Sequence, residues 1–141
     1  MKRLSIGKIR GLQQISIADG FFTICAIDHR SSLMSMINKG NSGAVGYRKM
    51  VEYKMQLCQA LAPLSSGILL DPIYGAPQAL AQNILPGHTG LLVSLEATGY
   101  LTTDEGRLTQ LQEGWSVAKI KKMGGSAVKL LLHYRPDRIE I

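Results

Sequence analysis

The chain has 141 residues, 45% of them hydrophobic and 18% charged, which is enough apolar material for a folded core and too much for general disorder. Sixteen Lys and Arg against ten Asp and Glu leave a formal charge of +6. No zinc-knuckle spacing, aromatic RNA-binding strand or continuous basic block accompanies that charge, which argues against nucleic acid as partner.

No apolar run approaches the roughly 18 residues that cross a bilayer, and a membrane partner is not expected. The basic N-terminus lacks the apolar core and small-residue cleavage site of a secretory leader. Cys25 and Cys58 lie in apolar runs with no metal or redox spacing, and read as buried free thiols. The expected setting is a reducing cytoplasm.

Residues 1–20 read as an amphipathic lead-in, with Ile6, Ile9 and Leu12 at helical spacing and Gly7 and Gly11 weakening the helix. Residues 21–28 are β-branched and aromatic without apolar–polar alternation, the pattern of a strand covered on both faces. Ser31 to Ser42 follows as a short helix or irregular loop. Helical periodicity runs from Tyr47 to Leu61, with Met50, Tyr53, Leu57 and Leu61 expected on the buried side, until Pro63 stops it. A second strand, residues 67–71, ends at Asp71, and a short helix over Pro77 to Gln82 is expected after it. The third strand, residues 90–96, ends at Glu96. Thr102 and Glu105 fit a capping box ahead of a helix over Leu111 to Met123, with Leu111, Trp115 and Ala118 as its apolar stripe. Gly124-Gly125 closes that helix, and residues 127–132 form the fourth strand.

Buried strands alternating with helices predict a single parallel α/β domain over residues 1–141. Four such strands make either a small open sheet or half of an eight-stranded barrel. A complete barrel takes about 250 residues and is excluded.

Three of the strands end in an acid, Asp28, Asp71 or Glu96, and the fourth carries Lys129 among apolar neighbours. Parallel α/β folds bind ligands at the carboxyl ends of their strands, so these four residues are expected to share one mouth. The plainer alternative is that each acid caps the turn after it. Lys129 shares a strand face with Ala127 and Leu131, and neither face is plainly wet. Its ammonium must pair with an acid, lose its proton or reach along its stem to solvent. Paired with Asp28 or Glu96, it would hold a substrate oxygen and move protons near neutral pH. The residues alone leave open a nucleophilic, imine-forming Lys129.

His29 beside Asp28, Asp71 and Glu96 also permits a divalent-metal lyase, although no compact His/Asp signature supports it and no metal is expected. Arg30 and Arg135 are candidates to meet a phosphate. His88 and His133 read as solvent-facing or locally bonded, and Gly87-His88-Thr89-Gly90 is too short for a phosphate loop.

Several segments together carry a family resemblance. They are Ala26-Ile27-Asp28-His29-Arg30, Ile68 through Gly75, Glu96-Ala97-Thr98-Gly99-Tyr100, Trp115 through Lys119, and Gly124-Gly125 followed by Ala127 through Leu131. In order and spacing, from about residue 10 to 137, the chain resembles the bacterial tagatose 1,6-diphosphate aldolases and the related sulfofructose-phosphate aldolases, over about half of such an enzyme. The resemblance implies the first four strands of a (β/α)₈ barrel and a class I aldolase that needs no metal or cofactor. In such an enzyme a lysine on a later strand forms an imine with a phosphorylated ketose. The bond between C3 and C4 then breaks to release dihydroxyacetone phosphate, or its equivalent, and an aldehyde.

By the same resemblance Asp28 lines the catalytic centre, and Lys129 is an auxiliary lysine that stabilises the carbinolamine rather than the nucleophile. His29 stands where relatives usually have glutamine. His29, Arg30, Asp71 and Glu96 are expected in substrate-binding or supporting roles. The imine lysine, the later proton-transfer glutamate and the phosphate loops of relatives have no counterpart in residues 1–141. The expectation is therefore a fragment inactive by itself, which self-associates or needs a second half-barrel. A noncatalytic module binding sugar phosphate or a partner is the alternative.

Overall fold

The structure is a computed structural model that describes residues 3–38, 45–103, 106–133 and 136. Four strands, β1 (Ile24–Ile27), β2 (Gly67–Leu70), β3 (Gly90–Ser94) and β6 (Ala127–Lys129), form one parallel sheet in the order β1-β2-β3-β6. The four strands lie side by side in the order in which they occur along the chain, with a separate hairpin inserted between the third and the fourth, as in the wall of a barrel. Ile27 is in register with Leu70, Leu70 with Val93, and Val93 with Val128. The sheet and its flanking helices make a partial (β/α) barrel.

Helix α2 (Ser31–Ile37) follows β1, and α3 (Tyr47–Leu61), α4 (Ala76–Ala81) and α5 (Val117–Met123) cover one face of the sheet. Ile68, Leu70, Leu91 and Val93 point toward them and pack with Met55, Cys58, Ala79 and Ile120. This two-sided burial explains why β2 and β3 are apolar without alternation. On the other face Leu69, Leu92 and Ala127 meet Ile15, which follows α1 (Ile6–Gln14). Ser66 Oγ donates to the Ile15 carbonyl at 2.6 Å and ties the lead-in to the start of β2. Gly11 is a contact point rather than a flaw in α1: a Cβ there would lie 2.5 Å from the Ser126 carbonyl oxygen.

Several sequence expectations are corrected. The first strand begins at Ile24, and Phe21 and Phe22 ahead of it are 68% and 53% exposed. In α3 the buried side carries Met50, Lys54, Met55 and Cys58, whereas Tyr53 is turned outward. The 3.6-residue repeat placed the helix correctly but its face is rotated, because a lysine occupies a core position.

Thr102 does not cap a helix. It lies in a hairpin of β4 (Leu101–Thr103) and β5 (Gly106–Leu108), where it pairs with Arg107; Glu105 lies outside the described residues. Helix α5 starts only at Val117, after Ser116 Oγ accepts the Lys119 N–H at 3.1 Å. Gly106 and Gly114, with φ of 133° and 72°, impose turns upstream that a helix cannot follow. Leu111 is exposed and Ile120 supplies the buried side instead of Ala118, while Trp115 packs against the core from ahead of the helix. Gly124, at φ 109°, does close α5. Strand β6 ends at Lys129, leaving Leu130, Leu131 and Leu132 exposed.

Candidate active site

Three strand ends converge on one cluster. Asp28 directly follows β1, Lys129 is the last residue of β6, and Glu96 stands two residues beyond β3. Lys129 Nζ donates to Asp28 Oδ2 at 3.0 Å and also to Glu96 Oε1. The other Glu96 oxygen, Oε2, accepts the Leu131 N–H at 3.2 Å. Glu96 is buried, Asp28 nearly so, and the Lys129 side chain keeps 33% of its exposure, so the cluster is open to solvent on its lysine side. Burial opposes the Lys129 charge, but the hydrogen bonds it donates to Glu96 and Asp28 outweigh it and hold its pKa above the ordinary lysine value. The group is an ammonium gripped by two carboxylates.

Arg30 braces this cluster from the side. Its guanidinium donates to the Glu96 main-chain carbonyl at 2.6 Å and to Gln112 Oε1 at 2.7 Å. A cleft of about 380 Å³ beside it is lined by Arg30, Met34, Tyr74 and Thr98. His29 is exposed next to Asp28. Arg135 lies outside the described residues. His88 meets the Pro63 carbonyl at 3.3 Å. It borders a second cleft of about 410 Å³ with Arg10 and Gln14. That cleft opens at the amino ends of the strands, away from the carboxyl ends where parallel α/β folds carry their chemistry.

Asp71 does not join the cluster. It is fully buried, and its Oδ2 lies 2.5 Å from Lys54 Nζ. Its Oδ1 accepts the Ile73 and Tyr74 N–H groups at 2.8 and 2.7 Å, so it also caps the turn after β2. Lys54 itself went unrecognised in the sequence. The signal was present: it stands four residues after Met50 and four before Cys58, on the same apolar stripe. Among the described residues no three His, Cys, Asp or Glu side chains group as a metal site requires.

Residues 22–140 match the sequence pattern of the DeoC/LacD family aldolases. The chain belongs to that family. This aldolase-family chain is 39% identical over 137 residues to a tagatose 1,6-diphosphate aldolase of Listeria monocytogenes, an alignment covering 97% of the chain and 39% of the relative. It is 37% identical over 137 residues to tagatose 1,6-diphosphate aldolase 2 of Enterococcus faecalis, covering 97% of the chain and 40% of that relative. With a tagatose 1,6-diphosphate aldolase of Staphylococcus aureus the identity is 35% over 133 residues, or 94% of the chain and 40% of the relative. The chain thus spans about two fifths of the length of the curated relatives it matches. Among the described residues of this aldolase-family chain, no helix is long and apolar enough to cross a membrane.

Proposed function

We propose that residues 1–141 supply the first four strands, as one domain, of a class I aldolase barrel that cleaves a phosphorylated ketose resembling tagatose 1,6-bisphosphate. The observation carrying this reading is the Lys129 ammonium between Asp28 and Glu96 at the carboxyl ends of the strands. An imine-forming lysine must be a neutral amine when it attacks a carbonyl. Lys129 is held in the opposite state, which favours the auxiliary role.

In that role its ammonium faces the oxygen of the carbinolamine and stabilises the charge that develops there. Asp28, on the first strand, lies where it can accept a proton from the same centre. Glu96 keeps Lys129 charged and aimed, and Arg30 keeps Glu96 in place through its carbonyl. His29, exposed beside Asp28, is positioned to hydrogen-bond a sugar hydroxyl. The imine lysine belongs, by family resemblance, to a later strand than the four described. The chemistry needs no metal or cofactor, and two free thiols fit a cytoplasmic enzyme.

A second half-barrel, or a second copy of the chain, is the partner we propose for the open edges of β1 and β6. Exposed apolar residues flank both edges, Phe21, Phe22 and Ile24 on one side and Leu130 to Leu132 on the other.

The test is titration of the chain with dihydroxyacetone phosphate and with phosphorylated ketoses, followed by ¹⁵N NMR and, in parallel, by borohydride reduction and peptide mapping. Ligand-dependent shifts at Asp28, His29, Glu96 and Lys129 without a reduced adduct on Lys129 are expected. An adduct on Lys129 would overturn its auxiliary role. Absence of shifts at millimolar ligand would overturn the site.

A further inference from the structure

Behind the cluster lies a second cation that the proposed chemistry does not use. Lys54 comes from α3, its side chain is completely shielded from solvent, and Met50 and Cys58 on either side of it along the helix are also fully buried. Its Nζ donates to Asp71 Oδ2 at 2.5 Å and to the Ile27 carbonyl at 2.6 Å. One ammonium therefore ties a helix to the last residue of β1 and to the residue after β2.

A buried ion pair is a costly way to hold elements together, since well-packed apolar residues of similar volume often serve as well. What an apolar side chain cannot do is grip a main-chain carbonyl. The carbonyl gripped here shares a planar peptide unit with the nitrogen of Asp28. Holding that oxygen fixes the plane from which Asp28 departs, and Asp28 meets Lys129 within a single hydrogen bond.

We propose that Lys54, anchored by Asp71, is a positioning residue for the candidate active site: through the Ile27–Asp28 peptide it sets where the Asp28 carboxylate meets Lys129. The catalytic meaning of this rests on the aldolase reading; the geometric claim does not. Residues from every side bear on Lys54, with Asp71, Asp28, Arg30 and Cys58 the charged or titratable groups around it. Burial is the largest influence and draws its pKa below the ordinary value, against the pull of Asp71. Lys129 is shifted the other way. The two lysines should thus lose their protons in separate steps, Lys54 first.

The experiment is NMR of the chain with ¹³C-labelled lysine and backbone labels, compared with the Lys54→Met/Asp71→Asn double variant. That variant removes one positive and one negative charge together and nearly conserves volume. The net charge behind the site is unchanged, so a fall in the Lys129 pKa reports its lost contact with Asp28. A fall is expected, because the raising contact with Asp28 is weakened, with the exposed control Lys121→Met leaving Lys129 where it was. A folded double variant with an unmoved Lys129 overturns the proposal.

The unmutated chain gives a second reading that does not depend on the variant folding. As pH rises, the Ile27 carbonyl and Asp28 amide resonances should move at the Lys54 midpoint, before Lys129 titrates. If they follow Lys129 instead, the proposal also falls. Neither readout requires imine formation or turnover, so failure of the aldolase reading is distinguishable from failure of this one.

Discussion

Lys129 and Asp28 stand 101 residues apart, at the carboxyl ends of the two outermost strands of the four-stranded sheet, and still meet at 3.0 Å. In a flat sheet the first and fourth strands would be roughly 14 Å apart. Side chains stand perpendicular to a sheet, so neither residue could cross that span in its plane. The contact exists because the sheet curves, turning its two outer strands toward one another. It is therefore both a local ion pair and a measure of barrel curvature.

Lys129→Met leaves Asp28 and Glu96 facing one another without a cation. Because the lysine is one-third exposed, the loss should fall between that of a surface pair and that of a broken buried one, at about 1–2 kcal/mol. Denaturant unfolding of the purified chain checks this. The proposed auxiliary role predicts that, in a full-length aldolase carrying this segment, the same substitution lowers kcat on the order of 100-fold with a smaller change in KM.

Alkaline pH should lower the chain's stability in two overlapping stages. Burial raises the Cys58 thiol from 9.0 to about 11. A raised pKa means that its contribution is complete below 9 and disappears as pH climbs toward 11. The Lys129 pair, also raised, contributes fully below about 10.5 and loses its effect only as pH passes the folded value. Stability measured from pH 8 to 12 should fall first through the thiol's window, and Cys58→Ala should remove that early part. An early decline that persists unchanged in Cys58→Ala would contradict the assignment.

The same burial separates the two cysteines chemically. Cys58 is fully buried and Cys25 is half-buried on edge strand β1. A small disulfide reagent at pH 8 should label Cys25 at least about 10-fold faster than Cys58, because only the thiolate reacts and burial suppresses it. Equal rates, followed by mass spectrometry, would mean that α3 does not seal Cys58 as described.

Two glycines in α1 should respond oppositely to alanine. A Cβ at Gly7 meets nothing within 4 Å, so Gly7→Ala should stabilise the helix by up to about 1 kcal/mol. At Gly11 the added carbon would strike the Ser126 carbonyl, and the forced shift should outweigh the gain in propensity at a cost of about 1–3 kcal/mol. Thermal melts of the pair suffice; matching shifts would show that α1 does not rest on the sheet.

The exposed apolar residues beside β1 and β6 predict association. Light scattering with size exclusion should give a species heavier than one chain at micromolar concentration, or should do so until a second half-barrel is added. A clean folded monomer at all concentrations is the contrary result.

The family and the parallel α/β class were legible because apolar strands without alternation and acids at strand ends are local patterns, written in consecutive residues. Helix α3 was legible for the same reason, down to its ends at Tyr47 and Leu61. Which strand-end acids share a site was not. Asp28, Asp71 and Glu96 look alike in sequence, yet sheet curvature delivers two of them to Lys129, while the packing of α3 commits Asp71 to Lys54. Lys54 was invisible for a related reason: charge alone assigns a lysine to solvent, and only a carboxylate and a carbonyl arriving from other strands make its burial possible. Periodicity along the chain thus placed the four sheet strands and α3, but not the β4–β5 hairpin. Contacts between residues tens to a hundred positions apart decided the chemistry, because charge neutralisation is a property of what lies across a gap and not of what lies next in sequence.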